Sequence, residues 1–184
     1  MIRSGCCAAR FASQLGFTVE GNTEAQAVKL AHRILMVSRE RWMLELDKLL
    51  LTEKPAIGLN FLARTRLLNF MLPELALQVG YDQNNPHHAL PLWEHTLAVV
   101  DATPADINLR WAALLHDIGK PFMRTEKPDR SNYIKHDLLD AELVTRIALY
   151  LKWSNDRRET VANLVLNHMQ PNGPLRSYDA AAHS

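Results

Sequence analysis

Residues 109–121 read LRWAALLHDIGKP. Leu114 and Leu115 continue an apolar helical run, and the chain then sets an imidazole and a carboxylate side by side, His116 and Asp117. Gly119 and Pro121, residue types that end helices, follow with Lys120 between them. Two polar groups of this kind are costly to bury unless something pairs with them. They are therefore either a satisfied structural pair or the holders of a ligand. The flanking sequence has to decide.

Outward from this run the helical periodicity continues. Apolar residues recur at spacings of three and four, as in Leu143, Ile147 and Leu151, or Leu44, Leu46, Leu49, Leu50 and Leu51. Helices are predicted over 91–102, 104–117, 135–151 and 156–168. On the N-terminal side Thr23 precedes a helical run to Val37, Ser38 can cap the next to Leu51, and Pro55 opens a third. YDQNNPHH (81–88) is a loop by composition, and 119–134, with Pro121 and Pro128, is the only long irregular stretch before the end of the chain. Strand candidates are nearly absent. The fold class is all-α, with a helical region over 1–80, a helical bundle over 81–170 and a flexible tail over 171–184.

Bulk composition excludes several classes. The 184 residues are 47% hydrophobic and 22% charged, as in an ordinary globular chain. A net charge of +1 exerts no global pull on nucleic acid, so any basic surface is local. The two cysteines, Cys6 and Cys7, are adjacent and form no disulfide framework, which suits a reducing compartment. The start, MIRSGCCAARFASQLGF, has no apolar core of the signal-peptide kind, and nothing later approaches a membrane span. A soluble cytoplasmic protein with no membrane partner is the expectation.

Six of the eight histidines lie between 87 and 168. His95 sits in PLWEHTLAVV, His116 and Asp117 close the next predicted helix, His136 opens the one after the long loop, and His168 ends the last, in LVLNHMQ. Inward-facing groups from neighbouring helices are how bundle-core metal sites are built. Imidazoles with one carboxylate form a mixed nitrogen and oxygen donor set, better matched to a divalent transition metal than to calcium. With coordination positions left open, water on such a metal becomes a nucleophile near neutral pH, and a phosphoester is its usual target. Lys120 could balance phosphate charge, and Arg124, Lys127, Arg130 and Lys135 outnumber Glu126 and Asp129 in the loop beyond. The bland alternatives are a hydrogen-bonded core histidine and a solvated basic loop; His32, His87, His88 and His183 fall under the first.

LLHDIGKP resembles the signature of the HD superfamily of metal-dependent phosphohydrolases. More narrowly, NNPHHALPLWEHTL (84–97), LRWAALLHDIGKP (109–121), YIKHDLLDAELV (133–144) and LVLNHM (164–169) look like the HD domain of bacterial tRNA nucleotidyltransferases and related poly(A) polymerases. ARFASQLGFTVEGNT (9–23), VSRERWMLELDKLLL (37–51) and GLNFLARTRLLNFMLPEL (58–75) resemble the helical region that precedes that domain. The resemblance implies an HD bundle preceded by a short helical extension. It makes His95, His116, Asp117, His136 and His168 the expected metal ligands, and Asp117 and Lys120 the expected catalytic residues. His88 matches a histidine common in the loop ahead of the first ligand. Many relatives close the site with a downstream aspartate; the corresponding stretch here reads NHMQ, which leaves His168 as the candidate to take its place.

The expected activity is that of a phosphatase or 2′,3′-cyclic phosphodiesterase on nucleotides or RNA ends, using a metal-activated water. The metal would be Mn, Co, Ni, Fe, Zn or Mg, with its identity open. No glycine-rich nucleotide loop followed by an acidic pair occurs, so nucleotidyl transfer is not expected of this chain, whether it stands alone or belongs to a longer gene product. The competing expectation is a non-catalytic tRNA-binding or oligomerisation module, with Arg64, Arg66 and the 120–135 loop as its RNA contacts. The sequence leaves the oligomeric state open.

Overall fold

The helical periodicity of the sequence is realised in a computed structural model that describes residues 4–17, 19–83, 90–126, 131–132, 136–170 and 172–181. His87, His88, Lys127, Asp129, Arg130, Lys135 and His183 lie outside these residues. The chain divides into two compact units, Met1–Ala76 and Leu77–Ser184. The architecture is all-α, and among the described residues no helix is long and apolar enough to cross a membrane.

The first unit contains α1 (Ser4–Leu15), α2 (Gly21–Leu30), α3 (Arg39–Leu50), α4 (Pro55–Arg64), α5 (Leu67–Met71) and α6 (Pro73–Ala76). Helix α1, in a stretch where the sequence pattern predicts no helix, packs against α3 and α4. Small residues make that approach possible: Ala9 and Ala12 are buried, and a Cβ on Gly58 would meet Leu49 at 2.7 Å and press closer still on the Ala9 carbonyl. The Gly58 N–H donates to the Ser13 hydroxyl at 2.8 Å, tying the two helices. Leu46, Leu49, Leu50, Leu59 and Leu62 fill the core, each contributing roughly 2 kcal/mol by its removal from water. The run predicted from Thr23 to Val37 is split: α2 stops at Leu30 and a 3₁₀ helix spans Ala31–Met36. Buried Ala31 and Ile34, three apart, line up on one side of that tighter helix.

The second unit contains α7 (Leu92–Ala102), α8 (Ile107–Leu115), α9 (His136–Tyr150), α10 (Asn155–Leu166) and α11 (Arg176–Ala181). Helix α8 begins three residues later than predicted because Asp106 caps it, its carboxylate accepting the Asn108 and Leu109 N–H groups at 3.0 Å. Helix α10 packs against both α8 and α9, and α7 packs on α8. Trp111 and Trp153 meet edge to face in this core, with centroids 4.9 Å apart. The stretch predicted as irregular holds a 3₁₀ turn, Lys120–Phe122, and a two-residue antiparallel ladder of Thr125–Glu126 with Ser131–Asn132. Where composition predicts a frayed tail from Pro171, the chain instead buries Leu175 and forms α11, which packs against α7. The anchor is a single leucine among small and polar residues, too weak a pattern to read as a helix.

Candidate metal centre

Each of the helices α7 to α10 delivers one part of a buried polar cluster. His95 lies one turn into α7. His116 is the C-cap of α8, and Asp117 follows in a turn that the fully buried Ile118 pins to the core. His136 is the first residue of α9, and His168 follows the C-cap of α10. Lys120 opens the 3₁₀ turn. All six predicted residues are buried, and all six converge.

Asp117 is the hub. Its Oδ2 lies 3.1 Å from His116 Nε2, 3.7 Å from His95 Nε2 and 2.7 Å from the Lys120 ammonium. Its Oδ1 lies 3.3 Å from His136 Nε2 and 3.6 Å from His168 Nε2. The two oxygens of one carboxylate therefore face two different sets of imidazoles. The ligand atoms of His95, His116 and Asp117 all lie within 4.8 Å of one another, as do those of Asp117, His136, Asp140 and His168.

The imidazoles are held in the orientation that metal ligation requires. His116 Nδ1 lies 2.8 Å from the Ala113 carbonyl, and His168 Nδ1 lies 2.6 Å from the Val165 carbonyl. A carbonyl only accepts, so each Nδ1 carries a hydrogen and each ring, when neutral, turns its Nε2 lone pair inward. His95 Nε2 and His116 Nε2 meet at 3.3 Å, converging on the same space.

The charges agree with this arrangement. Burial pushes the His116 pKa down more than the adjacent Asp117 charge lifts it, which favours the neutral, ligating ring. Burial alone would raise the Asp117 carboxyl. The surrounding His116, Lys120 and His136 side chains outweigh it and hold this carboxyl well below the usual carboxylate range. Burial also works to lower His168, but the neighbouring Asp117 carboxylate outweighs it and leaves the ring above its ordinary value. The Lys120 ammonium is enclosed, donating to Gln83 Oε1 at 3.2 Å as well as pairing with Asp117.

Comparison with known proteins agrees with the geometry. Residues 92–179 match the HD domain, and residues 16–78 match a region described as the probable RNA and SrmB-binding site of polymerase A. Residues 92–179 are an HD domain. The chain is 38% identical over 172 residues to the CC-adding tRNA nucleotidyltransferase of Thermus thermophilus, covering 87% of this chain and 39% of that protein. It is 38% identical over 175 residues to the A-adding tRNA nucleotidyltransferase of Deinococcus radiodurans, covering 88% of this chain and 40% of that one. It thus spans about two fifths of the length of these relatives.

One member of the HD domain's cluster escapes the sequence reading. Asp140, fully buried on α9, joins the set around Asp117 Oδ1. Its Oδ1 accepts the Gly119 N–H, and its Oδ2 lies 4.0 Å from His136 Nε2. Burial and the nearby Asp117 charge push this carboxyl up to about 9, against the lowering effect of the Gly119 N–H. A signal was present: His136 and Asp140 head the stripe that Leu143, Val144 and Ile147 continue into the core. An acid four residues after a histidine, however, more often faces water.

The donor set suits a divalent metal. Asp140 Oδ2 and His168 Nε2 are buried with no hydrogen-bond partner among the described residues, which protein interiors rarely leave unanswered. Nitrogen and oxygen donors at these spacings would answer them around a cation.

Proposed function

We propose that the HD domain is a metal-dependent phosphohydrolase, a phosphatase or 2′,3′-cyclic phosphodiesterase acting on nucleotides or RNA ends. The observation that carries this reading is the division of Asp117 between two sets of inward-turned imidazoles. When bound, a divalent metal supplies Lewis acidity to a phosphoryl oxygen and lowers the pKa of water towards neutrality. His95, His116, Asp117, His136 and His168 would hold one or two such ions. The backbone carbonyls of Ala113 and Val165 fix two of these rings before any ion arrives, so little reorganisation is needed. Ionised Asp117 is outnumbered by Lys120 together with the incoming cation, which leaves a net positive site for an anionic phosphoester. Gln83, by accepting from Lys120, holds that ammonium beside Asp117.

The test is turnover of 2′,3′-cyclic AMP and of a chromogenic phosphate ester by protein loaded with Mn, Co, Ni or Mg. Wild type turns over at least one of them, and Asp117→Ala loses roughly 100-fold or more. Identical rates in the two proteins overturn the proposal.

A second reading is favoured by the match of residues 16–78 to an RNA-binding region and by relatives named for tRNA. In that reading the chain is a non-catalytic tRNA-binding or oligomerisation module. Arg64 and Arg66 are exposed on the first unit, Arg64 held 2.9 Å from Glu24. Protein without metal that retards tRNA in a salt-sensitive gel assay, and loses this with Arg64→Ala and Arg66→Ala, favours the module. Metal near one equivalent or above, lost in His116→Ala, favours the enzyme.

A further inference from the structure

We infer that Asp140 is itself a metal ligand, and that it makes the two ion positions around Asp117 unequal: one closed by four protein donors, one left open. The inference rests on the metal reading above and adds the order in which ions are held.

Three observations on Asp140 point the same way. The residue is fully buried, and its carboxylate is divided in use. Oδ1 is fixed by the Gly119 N–H, and the backbone comes that close only because residue 119 has no side chain, since a Cβ there would meet Oδ1 at 2.8 Å. Oδ2 has no hydrogen-bond partner among the described residues and is aimed at the space shared with Asp117, His136 and His168. The turn that carries His116 and Asp117 thus orients a carboxylate on another helix, leaving one oxygen available. His168 Nε2, likewise without a hydrogen-bond partner among the described residues, faces the same space with its Nδ1 committed to the Val165 carbonyl.

The donor count then separates the positions. Asp117 Oδ1, His136, Asp140 and His168 supply four protein donors, the number that closes a tetrahedral ion site. His95, His116 and Asp117 Oδ2 supply three, the number that leaves a place for water or substrate. The four-donor ion is retained; the three-donor ion exchanges and is the one a substrate meets. Asp140 takes the role for which the sequence reading had only His168, and it does so from a different helix.

The experiment is metal binding by the whole chain. Apo protein is titrated with Mn or Co by calorimetry, and metal content is measured after gel filtration. Wild type should bind two ions in two affinity classes. Asp140→Asn, whose amide oxygen can still accept from Gly119, should weaken the tight class at least 100-fold and leave the other within threefold. His95→Ala should do the reverse. If Asp140 only anchors Gly119, Asp140→Asn keeps both classes, and the inference fails while the metal reading stands. If wild type takes up no metal, both fail. Asp140→Cys with Co keeps the inference testable should the asparagine variant not fold. A thiolate-to-cobalt charge-transfer band in the near ultraviolet reports a side chain at 140 bound to the ion, and its absence in folded, cobalt-loaded protein overturns the assignment.

Discussion

The two units place their charged residues in opposite ways. Among the described residues of Met1–Ala76 the ion pairs keep contact with solvent, as where Glu45 meets Arg10 and Lys48, and the interior is apolar apart from the hydroxyls of Ser13 and Thr65. In Leu77–Ser184 two carboxylates, four histidines and a lysine are buried together between helices. Groups of the first kind cost little and contribute little. Those of the second kind are expensive to bury and hard to justify by stability alone. The contrast separates a unit organised for packing from one organised around a site.

The largest effect should come from the hub. Asp117→Ala, measured by urea unfolding in EDTA, removes the counter-charge of buried Lys120 and should lower stability by roughly 3–5 kcal/mol, besides abolishing metal uptake. A loss below about 1 kcal/mol, the level of a surface pair, would erase the contrast. Next comes metal itself. At a free concentration 100 times its dissociation constant, an ion should stabilise the second unit by about 2.7 kcal/mol. Three of the four tryptophans, Trp93, Trp111 and Trp153, lie in that unit, so fluorescence-monitored unfolding should shift with metal in wild type and not in Asp117→Ala. The first unit has its own sensitive point in Gly58. Gly58→Ala forces a methyl against the Ala9 carbonyl and Ser13 and should cost on the order of 2 kcal/mol through overpacking, with metal stoichiometry unchanged. A neutral Gly58→Ala would show that α1 and α4 can separate freely.

How much of this was legible follows the same division. His95, His116, Asp117, His136 and His168 were readable because each is a polar interruption at the end or inner face of an apolar helical run. Lys120 was readable as a member of the cluster but not as a buried one, since burial depends on Gln83, a partner distant in sequence. Asp140 was hidden for a related reason. Its inward direction is set by the phase of α9, and its purpose by a glycine N–H from another segment. In the first unit α1 was missed because its buried face is built from Cys6, Ala9, Ala12 and Ser13, small residues with little hydrophobic contrast. The helical fold itself was legible because long periodic runs outweigh any one ambiguous end.

The smallest effect expected is at Glu45, and its sign is informative. Burial alone would raise this carboxyl, but hydrogen bonds and charge from Arg10 and Lys48 hold it below its ordinary value of 4.5. A carboxyl depressed on folding stabilises the native state above its unfolded pKa, and that contribution is lost as pH falls through the folded value. Glu45→Gln should therefore cost about 0.5 kcal/mol at pH 7, less in high salt, and nothing once the pH is well below 4.5. Urea unfolding of both proteins across the acid range measures this directly. A difference that widens as the pH drops would mean that Glu45 supports the fold by packing rather than by charge. The first unit would then also depend on its polar residues, and the distinction from the second would narrow to the metal site alone.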